Sequence, residues 1–130
     1  MGLAARSMIQ KGQRTFNRLR LGLPASLILT HERSGCTIEN ISSTGACVRV
    51  ERPLIKGSTA ILCFHLLRIY SVVMWSRDTL SGLRFEAPLE MEDMQGFLWI
   101  LQNREEYDRI CREELLEDAS TGYGNRSVGL

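Results

Sequence analysis

The chain has 130 residues, is 44% hydrophobic and 24% charged, and carries a net charge of +1. That length supports one domain with a core that needs no disulfides, and no apolar run approaches the ~18–20 residues required to cross a bilayer. Membrane-spanning classes are therefore excluded, and a near-zero net charge argues against a general binder of nucleic-acid polymers.

The first residues, Met1-Gly2-Leu3-Ala4-Ala5-Arg6-Ser7, lack the apolar stretch of a secretory signal, so a cytoplasmic location is expected. Cys36, Cys47, Cys63 and Cys111 are widely and irregularly spaced, with only His31 and His65 to complete a metal site. Reduced thiols and no bound metal are the expectation. Charge is unevenly spread. Residues 1–20 hold Arg6, Lys11, Arg14, Arg18 and Arg20 without an acid, whereas residues 86–118 hold eleven acids against three arginines. The basic end is suited to an anion, although a solvated basic arm would read the same way.

In chain order, residues 1–13 show weak periodicity and are expected to form a mobile arm. Pro24 precedes a strand expected at about 25–32, and Arg33-Ser34-Gly35 supplies a turn. Strands follow at about 36–40 and 46–50. In the latter, Ala46, Val48 and Val50 share one face, with Cys47 and Arg49 on the other. Between these strands lies Asn40-Ile41-Ser42-Ser43-Thr44-Gly45, rich in turn formers. After a loop containing Pro53 and Gly57, β-branched and aromatic runs at 58–66 and 69–76 predict a hairpin that turns near Leu67-Arg68. A sixth strand is expected at 82–86.

Six short strands at this spacing predict a mainly β fold, a closed six-stranded antiparallel β-barrel. Pro88 ends strand character, and Glu90, Glu92 and Asp93 suit the first turn of a helix. Met94, Phe97, Leu98 and Leu101 follow helical spacing and predict a C-terminal helix lying on a core. A more polar helical stretch at 105–116 continues or restarts near Asn103. Residues 119–130 are expected to be a disordered tail, leaving 14–118 as the folded unit.

Two short patterns carry the chemistry. Arg14-Thr15-Phe16-Asn17-Arg18 sets two arginines four apart just before the first strand. Arginine offers a planar fork of donors that fits phosphate oxygens or a guanine edge, and it stacks on bases. Asn40-x-Ser42-x-x-Gly45 brings an amide, a hydroxyl and a glycine into one turn, which by itself also suits an ordinary hairpin.

Taken in this order, Arg14-x-x-x-Arg18 and Asn40-x-Ser42-x-x-Gly45, followed by Ala46-Cys47-Val48, closely resemble the PilZ domain, a bacterial receptor module for cyclic di-GMP. Val72-Val73-Met74-Trp75 and Gly82-Leu83-Arg84-Phe85 look like its last two barrel strands. The resemblance covers about residues 12–102. It implies a split-barrel type fold with a C-terminal helix. Arg14 and Arg18 match the arginines that grip the ligand's phosphates and guanines. Asn40, Ser42 and Gly45 match the turn that reads a guanine edge. Asn40 stands where many relatives have Asp and offers one oxygen instead of two. Gln13 occupies the position that tunes ligand stoichiometry. Trp75 matches a tryptophan that lies near a guanine, and its alternative reading is a barrel aromatic filling the core.

The implied function is a bacterial second-messenger receptor that binds cyclic di-GMP, needs no cofactor and regulates a protein partner through ordering of its arm. The alternative is a ligand-independent adaptor acting through protein contacts. Catalysis is not expected: neither a glycine-rich phosphate loop nor a nucleophile beside His31 or His65 is evident.

Overall fold

Alternation of aliphatic and polar residues builds six strands whose inward faces meet in one core. In a computed structural model, residues 18–121 are described, with side chains as far as Glu114. The strands are β1 (Leu19–Ile28), β2 (Arg33–Ile41), β3 (Gly45–Val50), β4 (Thr59–Phe64), β5 (Leu67–Arg77) and β6 (Leu80–Phe85). All neighbours are antiparallel, and the order β1-β2-β3-β6-β5-β4 closes on itself as a barrel. Two helices follow, α1 (Met91–Gln102) and α2 (Arg104–Thr121). The chain divides into two units, the first ending at Phe97 and the second starting at Leu98.

The barrel interior is aliphatic. Leu23, Leu27, Ile38, Ile41, Val48 and Leu62 are completely shielded from solvent. Burying a side chain of this size stabilises the fold by roughly 1.5–3 kcal/mol. Two hydroxyls share the interior and both are satisfied: Ser71 donates to the carbonyl of Ile69 at 3.1 Å, and Ser81 to Ser76 at 3.5 Å. Phe97 closes one end, its ring 5.2 Å from that of Phe64.

The strand boundaries differ from the expected ones in instructive places. β1 begins at Leu19 and runs through Pro24 instead of starting after it. Only Ser26–Ile28 pair with β4, so Pro24 has a ladder partner on one side alone and its missing N–H removes no bond. The β1–β2 turn falls at 29–32, where the Leu29 amide donates to the Glu32 carbonyl at 2.7 Å. Arg33-Ser34-Gly35 is consequently strand. The β4–β5 turn is His65-Leu66, with His65 at φ 54°, two residues earlier than expected.

The α1 stripe also needs correction. Phe97 and Ile100 are buried, but Leu98 is 39% and Leu101 42% exposed. Leu98 and Leu101 therefore do not share the burial of Phe97 and Ile100, each lying one residue, or about 100° of helix, further round. The helix does stop and restart at Asn103, whose side-chain amide and backbone N–H both donate to the carbonyl of Trp99, at 2.9 and 2.8 Å. Along α2, Arg104 pairs with Asp108, and Arg109 with Glu106 and Glu113. Such exposed pairs contribute little each. Residues 1–17 and 122–130 lie outside the described residues, which covers the whole expected arm. α2 reaches three residues into the stretch expected as a tail.

Candidate functional site

Three departures from regular pairing create the site. Between Ile38↔Val48 and Asn40↔Cys47, Glu39 is skipped in the register with β3. Across the same point on β1, Leu21 and Gly22 stand between the paired residues Arg20 and Leu23, and Gly22 takes φ +62°. On β5, Met74 is the extra residue between Val73↔Leu83 and Trp75↔Gly82. An extra residue turns the side chain that follows to the opposite face of the sheet. Asn40 shares the parity of buried Ile38, and Trp75 that of buried Ile69, Ser71 and Val73. Without the bulges both would point into the core. With them both face outward, and Trp75 is 38% exposed.

These outward residues border a cleft of about 320 Å³ on the outer wall. Arg18 and Asn40 stand on one side, Met74 and Trp75 on the other, and Cys47 with Gly82 between them. The guanidinium of exposed Arg18 donates through Nη1 to Oδ1 of Asn40. The cleft therefore joins a cation, an amide and an indole, and among the described residues none of those lining it is acidic. Burial raises the Cys47 thiol, Glu39 adds to this, and Arg18 and Arg49 oppose it. Just outside, Arg49 donates to Glu39 at 2.8 Å and to Thr79 at 3.3 Å, which ties down the bulged segment.

The turn that follows Asn40 is locked from within. The Ser42 amide donates to the Gly45 carbonyl at 2.8 Å, and the buried Ser42 hydroxyl accepts from the amides of Thr44 and Gly45 at 3.3 and 3.2 Å. Phe85 and Leu89 donate to the carbonyls of Thr44 and Ser43. The serine thus holds the turn rather than projecting into the cleft. Gly45 has a packing reason as well: a Cβ there would lie 2.5 Å from the carbonyl oxygen of Leu83, closer than any side chain tolerates.

Of the residues singled out from sequence, Arg18, Asn40 and Trp75 line one cleft, and Ser42 and Gly45 shape the turn beside it. Gln13 and Arg14 lie outside the described residues. Sequence reasoning overlooked Cys47, Met74 and Gly82. Gly82 had a legible signal, because a glycine inside a strand often marks a close approach. A larger hollow of about 770 Å³ runs beside α2, lined by the paired charges of Arg104, Glu106, Asp108 and Arg109. Among the described residues, no buried side-chain polar atom lacks a partner and no three metal-capable side chains cluster.

A closed six-stranded barrel followed by helices, with a cleft bordered by Arg18 and Asn40 beside the β2–β3 turn, defines the class of small β-barrel domain to which the chain conforms. The chain belongs to the PilZ domain family, whose model matches residues 12–102. Among solved structures it is similar to the Borreliella burgdorferi PlzA protein in complex with c-di-GMP, at 16% identity and a TM-score of 0.54, over 74% of this chain and 44% of that one. The chain thus matches less than half the length of PlzA, and the likeness is one of fold. It is also similar to the Legionella uncharacterized protein Lpg0364, at 22% identity and a TM-score of 0.41, over 70% of this chain and 97% of that one. No curated protein matches it in sequence.

Proposed function

We propose that the protein is a bacterial receptor for cyclic di-GMP that binds the ligand without transforming it. The observation that carries this reading is the Arg18–Asn40 pair facing Trp75 across one cleft. A dianionic dinucleotide needs cations for its phosphates and a donor–acceptor edge plus an aromatic wall for its bases. On this reading Arg14 and Arg18 grip phosphate and guanine, Asn40 meets a guanine edge, and the turn at Ser42 and Gly45 keeps Asn40 in place. Each charge-assisted bond contributes roughly 1.5–3 kcal/mol, against roughly 1–2 kcal/mol for fixing each backbone residue. Such bonds would offset the ordering of a few residues next to Arg14 and Arg18, and the docked segment would then present a new surface to a protein partner. Gln13 would set how many ligands bind, and a cytoplasmic location goes with the same reading.

Calorimetric titration with cyclic di-GMP tests this. Wild type should give heat, Arg14→Ala and Arg18→Ala little, and Ser42→Ala a reduced signal through a loosened turn. Absence of heat from wild type would remove the receptor reading. A ligand-independent adaptor would then be favoured by the exposed Leu98, Trp99 and Leu101 of the second unit.

A further inference from the structure

Trp75 is seated unusually closely. A Cβ built on Gly82 would lie within 2.7 Å of Nε1, Cε2 and Cδ1 of the indole, three consecutive atoms of its five-membered ring. An approach along the ring edge would meet one atom much nearer than the other two. Near-equal overlap with all three means that the ring lies flat over the glycine, in the space a side chain would fill. The same indole carries Arg77, whose guanidinium carbon is 5.2 Å from its centroid. Arg77 is two residues along β5, so it shares the outward face that the Met74 bulge gives to Trp75. A glycine seat and a cation contact thus act on one ring at the border of the cleft.

We infer that Gly82 and Arg77 are positioning residues: together they hold the Trp75 indole in one orientation and so fix the width of the cleft for a planar base. A guanidinium over an indole contributes favourably even at an exposed site, and the missing Cβ lets the ring lie against β6 instead of projecting into the cleft. Substituting Gly82 would lift the ring and narrow or tilt the opening. The orientation is a property of the protein alone. Its effect on affinity rests on the receptor reading above.

The test begins without ligand, in the full chain carrying Trp99→Phe, which leaves Trp75 as the remaining tryptophan of two. A fixed indole gives a near-ultraviolet circular dichroism band that is lost when packing is lost. Gly82→Ala and, separately, Arg77→Ala should weaken that band with the far-ultraviolet spectrum unchanged, and Arg77→Lys should restore much of it. Cyclic di-GMP titration then reads the consequence. Gly82→Ala should weaken binding by about tenfold, but by less than about twofold when added to Trp75→Ala, because it acts through that ring. An unchanged band in both single variants would overturn the positioning role. Full additivity with Trp75→Ala would overturn its bearing on the cleft. If wild type binds no ligand, the receptor reading fails while the dichroism still decides the positioning. If Gly82→Ala does not fold, the Arg77 variants decide it.

Discussion

The β4–β5 hairpin and the strands that frame the cleft follow different rules. From Thr59↔Val72 to Phe64↔Leu67 the β4–β5 ladder runs through six pairs without interruption, and burial alternates along it until Cys63, which is covered together with its neighbours Leu62 and Phe64. The β1–β2, β2–β3 and β5–β6 ladders each contain an irregularity, and the residues after those in β2 and β5 are Asn40 and Trp75. Where a ladder only encloses the core, regular alternation suffices. Where side chains of core parity are needed on the surface, the chain inserts an extra residue. Construction of the core and of the site is therefore separable, and substitutions should divide accordingly.

The largest effect belongs to the regular side. Leu62→Ala empties a fully shielded position and should cost roughly 2–5 kcal/mol in a denaturant titration, while cyclic di-GMP affinity of the folded protein stays as in wild type. Loss of affinity in step with stability would erase the division. Gly45→Ala lies at the junction of the two regions. Its Cβ meets backbone at Leu83, which cannot rotate away, so the β3–β6 ladder must shift at roughly 1–3 kcal/mol. A lowered thermal midpoint with weaker binding is expected, because the same shift displaces the turn beside Asn40.

On the bulged side, Asn40→Ala removes the acceptor of the Arg18 guanidinium without touching the core. A net hydrogen bond is worth roughly 0.5–1.5 kcal/mol, so calorimetry should find binding weakened several-fold and the thermal midpoint nearly unchanged.

The smallest effect concerns Cys36. Burial, with the nearby Cys63 adding to it, pushes the Cys36 thiol up to about 12. The folded state favours the neutral thiol, so this stabilisation is full below the ordinary thiol value and is lost as pH rises toward the folded one. Native Cys36 should alkylate slowly near neutral pH and react on unfolding. Fast native labelling, read by peptide mass spectrometry, would show that the β2 edge of the core is open.

Much of this architecture was legible because it rests on alternation. Val48 and Val50 in β3 and the β-branched runs of β4 and β5 announced a barrel, and Pro88 with its acids announced α1. Alternation misleads where the ladder is irregular. By parity Trp75 belongs in the core, and nothing in Val73-Met74-Trp75 marks Met74 as the extra residue. Pro24 likewise reads as a strand boundary until the short β1–β4 pairing removes its penalty. Leu98 and Leu101 fit a helical stripe, yet both remain partly exposed while Phe97 and Ile100 are buried. The family motifs group Arg18 with Asn40, and their side chains meet in the structure. They could not disclose that Ser42 and Gly45 serve the turn, since that depends on hydrogen bonds and on a carbonyl from β6 that is remote in sequence.

The central claim is that the bulged wall, and not the regular one, receives the ligand. Two-dimensional nitrogen-15 NMR of the full chain titrated with cyclic di-GMP tests it most directly. The side-chain amide of Asn40, the indole N–H of Trp75 and the backbone of Arg18 and Cys47 should shift, while Leu62 and Ile69 stay in place. Shifts centred on β4–β5, or a spectrum that the ligand leaves unchanged, would contradict the account.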